Sequence, residues 1–149
     1  LLFEEALLTA PGDAETLLWT GPNLAFSGQE QEAISRLEHA RTLNLENPLG
    51  FRYDHFLATA YFAAGQMEKA AQTGLASVVR NGLYTSNLRV TAAACAAIGQ
   101  HETAQEMAAR VMVLEPEFHI SKLVASHPFR DPAKRALYGE FLAAAGLPN

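Results

Sequence analysis

Apolar residues recur every three or four positions along most of the 149-residue chain, as in Ile34, Leu37 and Ala40, or Leu88, Thr91, Ala92 and Cys95. That spacing keeps one stripe of each segment buried and marks amphipathic helices. It predicts helices over 1–10, 13–27, 30–44, 49–64, 67–80, 84–98, 101–114, 117–126 and 132–145. No segment alternates with the period of two that a half-buried strand needs, so the expected class is all-α.

Between these helices one hexapeptide pattern, Gly-Gln-x-x-x-Ala, is written three times: GQEQEA at 28–33, GQMEKA at 65–70 and GQHETA at 99–104, at intervals of 37 and 34 residues. Aligned on Ala33, Ala70 and Ala104, small residues stand twelve positions earlier (Gly21, Ala58, Ala92), and core-forming ones nine positions earlier (Leu24, Tyr61, Cys95). Seven positions later come Ala40, Ser77 and Val111. Each unit reads as helix, turn at the glycine, second helix. Gly28, Gly65 and Gly99 follow helical runs, where glycine takes the left-handed conformation that ends a helix at little steric cost. The matched alanines let paired helices approach closely. Glu30, Glu68 and Glu102 fall in the first turn of the second helices, where the helix dipole favours acids.

A helix–turn–helix unit with a period near 34 is the tetratricopeptide pattern. The expected fold is a single all-α domain over 1–149, a right-handed solenoid of αα-hairpins with a C-terminal capping helix. Phe3, Ala6 and Pro11 match Leu37, Ala40 and Leu45 in register, so 1–11 is expected to be the second helix of a truncated repeat. Repeats follow at 13–47, 48–83 and 84–116, with three extra residues at the LENP turn (45–48). Residues 117–149 form a short helix ended by Pro128 and a cap, in which Asp131 and Pro132 start the last helix. Leu137, Phe141 and Leu142 are expected to cover the apolar edge of the last repeat. The pattern has departures: Leu17 and Asp54 where the repeat favours a large aromatic, and Gly74 where it favours a bulky core residue. An interior glycine costs about 1 kcal/mol relative to alanine, so the middle helix is expected to be soft there or to admit a neighbour closely.

The stretch NPLGFRYDHFLATAYFAAGQMEKA (47–70) and the ending HPFRDPAKRALYGEFLAAAGLPN resemble the C-terminal tetratricopeptide arrays of bacterial class III adenylate/guanylate cyclases. Related arrays follow winged-helix domains in some bacterial transcription regulators. The resemblance covers roughly residues 13–149 and contains none of the catalytic cyclase domain. It implies a regulatory or scaffolding arm of a larger signalling protein, and because such cyclases work as dimers it raises homodimer formation as an expectation. The start at LLFEEALLTAPGD, without Met, is expected to mark an excised piece.

Charge and composition narrow the function further. The net charge is −5, and residues 1–75 hold ten acids against four bases while 76–149 hold six against seven. An acidic chain without a Lys/Arg run is a poor nucleic-acid binder, which needs phosphate neutralisation. The one local basic group, Lys122, Arg130, Lys134 and Arg135, reads as a solvated helix end. No run of about eighteen apolar residues predicts a membrane span. Cys95, the single cysteine, sits in the small-residue run VTAAACAAIG and reads as core; its solitude fits a reducing, cytoplasmic setting. His101-Glu102 lacks the second histidine of a zinc signature, since Gln105 stands there. No catalytic, cofactor-binding or metal-binding residues are expected.

What remains is the groove along the first helices, the usual binding face of repeat arrays. By register it presents Glu15, Trp19 and Pro22, then Arg52, His55, Phe56 and Thr59, then Ser86, Arg89 and Ala93. Trp19, Arg52, His55, Phe56 and Arg89 are the candidate partner-binding residues, an Arg–aromatic mixture typical of interface anchors. Arrays that clamp chaperone C-termini use a Lys/Asn/Arg set, and Leu18, Pro22, Phe56, Ser86 and Val90 at the corresponding places exclude that class. A protein or peptide partner is expected along an open groove. The alternative is a small-molecule sensor controlling an attached regulator, with a deep pocket near Trp19, Arg52 and Phe56.

Overall fold

A computed structural model of the chain describes residues 14–43 and 46–149, with side chains described from residue 20 onward. The helix expected over 1–10 lies outside the described residues. Among the described residues there are eight helices and no strand: α1 (Ala14–Phe26), α2 (Glu30–Leu43), α3 (Phe51–Ala63), α4 (Met67–Arg80), α5 (Thr85–Ala97), α6 (His101–Leu114), α7 (Ile120–Ser126) and α8 (Pro132–Ala144). They pair as α1/α2, α3/α4 and α5/α6. The first helices α1, α3 and α5 form an inner row, and α2, α4 and α6 lie outside it.

The repeated hexapeptide has a complete backbone explanation. Gly28, Gly65 and Gly99 all have positive φ (91°, 78° and 79°). Behind each, the glutamine N–H reaches back to the carbonyl of Leu24, Tyr61 or Cys95 (2.8, 2.9 and 2.9 Å), and the glycine N–H bonds to Ala25, Phe62 or Ala96. This is the Schellman closure, and a left-handed residue at its centre is best supplied by glycine. The same glutamines open the next helix: the carbonyls of Gln29, Gln66 and Gln100 each accept from the alanine four residues on, at 3.0 Å. Ala33, Ala70 and Ala104 are fully buried. Gly-Gln-x-x-x-Ala therefore closes one helix, starts its partner and sets their distance.

Small residues control the approach between units as well. Gly74 on α4 faces α5, where a Cβ would lie 2.2 Å from Thr91 Oγ1. Its carbonyl accepts a 2.9 Å hydrogen bond from Asn87 Nδ2, so the position admits a neighbour closely. Asp54, buried on α3, is held between two cations from the outer row, Arg41 (3.0 Å) and Arg80 (3.7 Å). Burial raises its carboxyl above the usual range, and the two arginines oppose that rise. The ion pair ties α2, α3 and α4 together at the position where the repeat favours an aromatic.

After α6 the chain turns inward. The Asp131 side chain accepts from Ala133 N (2.9 Å) and Pro132 begins α8. Gly146, at φ +100°, closes α8 with the same Schellman pair of bonds. The cap uses its residues differently from the expectation. Leu142 is buried and Phe141 half-buried, but Leu137 is 38% exposed and Tyr138 is buried in its stead. The reason is where α8 lies: it packs along α5 and reaches α3, with Phe62 against Tyr138 (5.3 Å) and Phe141 (6.3 Å). Phe129, just before α8, is fully buried and meets Phe26 and Phe62, while Arg130 N donates to Phe26 O at the end of α1 (2.9 Å). An ion pair from Lys134 to Glu30 fastens the same segment to α2. The C-terminal segment thus crosses the inner row back to the first unit.

Candidate functional site

Three of the five groove candidates meet at one cavity. His55 and Phe56 are neighbours on α3, and Arg89 on α5 stands 34 residues beyond His55, one repeat later in the same register. With Thr59, Tyr84, Ser86 and Val90 they line a cavity of ≈ 270 Å³, whose far side is Leu123, Ser126, His127, Pro128 and Tyr138 of the C-terminal segment. Phe26 at the end of α1 completes the lining. Arg52 lies one helical turn before Phe56, outside this lining, and its charge acts on Tyr84. The side chain of Trp19, on α1, lies outside the described residues. The inner face is therefore covered over this stretch by the chain's own C-terminal segment, with a partly open cavity between them.

His55 is 7% exposed, its ring against Tyr84 (4.8 Å) and Phe56 (5.1 Å). Burial pushes it down from 6.5 to about 4, with the neighbouring Asn87 amide acting against the shift and Arg89 in the same sense. His127 is likewise pushed down to about 4 by burial and by the Arg89 and Arg135 guanidinium groups. Both imidazoles are thus neutral near pH 7. Tyr138 is pushed up to about 12 by burial, with Arg89 working against the shift. The one formal charge among the lining residues is Arg89, and no acid lines the cavity.

Arg89 is fixed from behind. Its Nη1 donates to both carboxylate oxygens of Glu115 at 3.0 Å, its Nη2 donates to Ser86 Oγ at 3.2 Å, and the guanidinium lies 5.6 Å from the Phe118 ring. Its side chain is 15% exposed. Glu115 belongs to a second cavity of ≈ 480 Å³ on the other side of Arg89, together with Phe118, His119 and Lys122. Arg89, Leu123 and Ser126 line both cavities.

Sequence reasoning did not single out Tyr84, His127 or Tyr138. Tyr84 sits at the N-cap of α5 and not within its apolar stripe, and the other two come from the segment beyond the last repeat. The repeat-defining Gly28, Ala33, Gly65, Ala70, Gly99 and Ala104 lie at the turns and in the helix pairing described above. Among the described residues no three His, Cys, Asp or Glu side chains converge as a metal site. Cys95 is fully buried, and burial pushes its thiol up, away from thiolate. No helix among the described residues is long and apolar enough to cross a membrane.

No model of a known protein family matches the chain, and no curated protein matches it. Among solved structures it is similar to the crystal structure of MamA, with a TM-score of 0.67 at 19% identity. The likeness covers 96% of this chain and 82% of that one. At that identity it concerns the fold alone, and with the helix pairing and the repeated Schellman turns it makes this chain a tetratricopeptide-type helical solenoid.

Proposed function

We propose that the chain is a non-catalytic protein-interaction module, the C-terminal arm of a larger cytoplasmic bacterial signalling protein of the cyclase kind, and that it acts by bringing two copies together. The observation that carries this reading is an apolar groove on the outer row. Val79 and Leu83, at the end of α4 and just beyond it, and Val113 on α6 are 88%, 74% and 80% exposed. Leu83, Ala109, Val113 and Leu114 line the groove, joined by the exposed ion pair Glu106–Arg110 (2.8 Å). Contiguous exposed apolar surface with a polar rim is the mark of an interaction site.

The occupant that fits is a second copy of this chain. The groove carries one acid and one base side by side, so a twofold axis passing between them would set Glu106 of each copy opposite Arg110 of the other. Leu83 of one copy enters the apolar groove of its partner, as an isologous interface requires. The solenoid fold and the resemblance of 47–70 and the C-terminal ending to cyclase arrays support the wider setting, because a dimeric cyclase needs its catalytic halves brought together.

Sedimentation of the purified chain against concentration tests the self-association, with a concentration-dependent dimer expected. A chain that stays monomeric at high micromolar concentration overturns it. Cyclase activity of the protein encoded by the full open reading frame, measured with and without residues 13–149, tests the setting. The expected result is activity that persists and changes in amount; an open reading frame with no cyclase domain overturns that part alone.

A further inference from the structure

The cavity between α3, α5 and the C-terminal segment is small, lined by aromatic rings and supplied with directed hydrogen-bond donors, and we infer that it binds monoanionic aromatic carboxylates of one or two rings. Its size sets the first limit. At ≈ 270 Å³ it falls just below the range of about 300–1,000 Å³ that holds drug-sized ligands. Residues 126–128 of the C-terminal segment line it opposite α3 and α5, which narrows the space left for an extended peptide.

The walls set the second limit. Phe56, Tyr84, Tyr138 and His127 all line the space, and aromatic rings prefer offset or edge-to-face partners that a flat ligand ring supplies. These rings are already held by one another: His127 meets Tyr138 at 5.0 Å and Phe26 at 5.9 Å, both edge-on. A ring entering the cavity therefore meets a surface that is ordered beforehand, which lowers the entropic cost of binding.

Charge sets the third. Arg89 is the one charged side chain in the lining, and Glu115 holds it in place from the neighbouring cavity. A guanidinium has five N–H donors, so Glu115 leaves donor capacity on the Ser86 side. Because Ser86 Oγ accepts from Arg89, its own hydroxyl proton is available to donate. A carboxylate placed there takes one hydrogen bond from Arg89 Nη2 and one from Ser86. With both lining histidines neutral and the Arg89 charge already shared with Glu115, the site offers two directed donors, one from Arg89 and one from Ser86, and no uncompensated positive charge. That matches a carboxylate and disfavours a dianionic phosphate ester, whose second charge would have no partner.

The test is an amide-resolved NMR titration of the whole chain with phenylacetate and indole-3-acetate, against phenylacetamide, acetate and phenyl phosphate as controls. Saturable shifts are expected at Ser86, Arg89 and His127 with the two aromatic acids, at low millimolar concentration or below. Binding of the amide and of acetate should be weaker by roughly tenfold, as expected for loss of a charge-assisted hydrogen bond or of ring stacking. Arg89→Gln should lose the preference for acid over amide, and Ser86→Trp, which fills the cavity from a half-buried position, should abolish binding. Thermal melts of both variants establish that they fold, and if Arg89→Gln does not, Ser86→Ala takes its place with a few-fold loss expected for the acids alone. Equal binding of acid and amide, tighter binding of phenyl phosphate, shifts confined to the cavity around Lys122 and His119, or no shifts at all would each overturn the inference.

Discussion

The inner and outer rows of the solenoid treat their apolar surface in opposite ways. Along α3 and α5 it is covered by the chain itself, through Phe129, Tyr138 and Leu142, all buried. On the outer row, at the ends of α4 and α6, Val79, Leu83 and Val113 stand in solvent. The contrast has a physical origin. The inner covering is made by aromatic residues that arrive from the C-terminal segment with their own hydrogen bonds, from Arg130 N to Phe26 O and from Arg135 to Phe129 O. No segment of the described chain reaches the outer apolar groove. The free apolar surface therefore lies outside, while the inside retains a cavity of ≈ 270 Å³.

The most damaging way to break this contrast is to remove the ring that seals the inner row. Phe129 packs against Phe26, His127, Phe62 and Tyr138. Phe129→Ala is expected to cost about 3–5 kcal/mol, the usual range for deleting a buried phenylalanine. Urea unfolding measures it. A loss below about 1 kcal/mol, within the range of ordinary surface substitutions, would mean that the C-terminal segment adds little to the stability of the inner row.

Acid probes the same row by another route. The unfolded chain titrates His55 near 6.5, whereas the folded state holds it at about 4. Between those values the unfolded state binds more protons, so the stability is fully present above pH 6.5 and is lost as the pH falls toward 4. At pH 5 the loss from this one group is about 2 kcal/mol relative to pH 7. His127 acts in the same direction. Asp54, raised by burial, acts in the opposite direction. Unfolding free energies at pH 7 and pH 5 should differ accordingly, and His55→Gln should remove a large part of the difference. An unchanged slope in that variant would show that His55 is not the group being titrated.

How much of this was legible in the sequence follows from which constraints are local. The Gly-Gln-x-x-x-Ala turns were legible because a Schellman closure needs a left-handed residue at one place in the chain, and its bonds span only a few residues. The joint appearance of His55, Phe56 and Arg89 was legible because a fixed repeat length puts equal registers on equal faces. The close approach at Gly74 was legible as one of two readings. The covering of the inner row was not, because it depends on contacts between Phe129 and rings some 70 and 100 residues away, in a segment with no periodicity to align. The exposed Leu137 has the same cause: helical spacing finds the apolar stripe of α8, but the angle at which α8 meets α5 decides which edge of the stripe is buried. The outer groove escaped notice because Leu83 follows α4 outside its helical register.

A middle-sized effect sits at the joint between rows. Gly74→Ala gains about 1 kcal/mol of helix propensity, yet its Cβ would stand 2.2 Å from Thr91 Oγ1. Overpacking of that kind costs about 1–3 kcal/mol, so a net loss of about 1 kcal/mol is expected. Thr91→Ala in the same chain should recover most of it, giving a favourable coupling in a double-mutant cycle. Additive effects would mean that α4 can move away from α5 without cost.

The smallest expected change in stability comes from the outer groove, and it is the sharpest test of the contrast. Val113 is 80% exposed, so Val113→Asp should shift the unfolding free energy by no more than about 0.5 kcal/mol, the usual range for a surface site without partners. In a self-associating chain the same substitution puts a charge into the middle of an apolar contact and adds an acid beside Glu106. Sedimentation should then show monomer where the unsubstituted chain shows dimer. The cavity on the inner row should keep its affinity for aromatic acids, since the two surfaces share no lining residue. If Val113→Asp left the dimer intact, the second copy would have to dock elsewhere and the outer groove would lose its assigned occupant. If it weakened ligand binding as well, the two rows would be coupled through α5 and α6, and the separation between an inside for small molecules and an outside for a partner would fail.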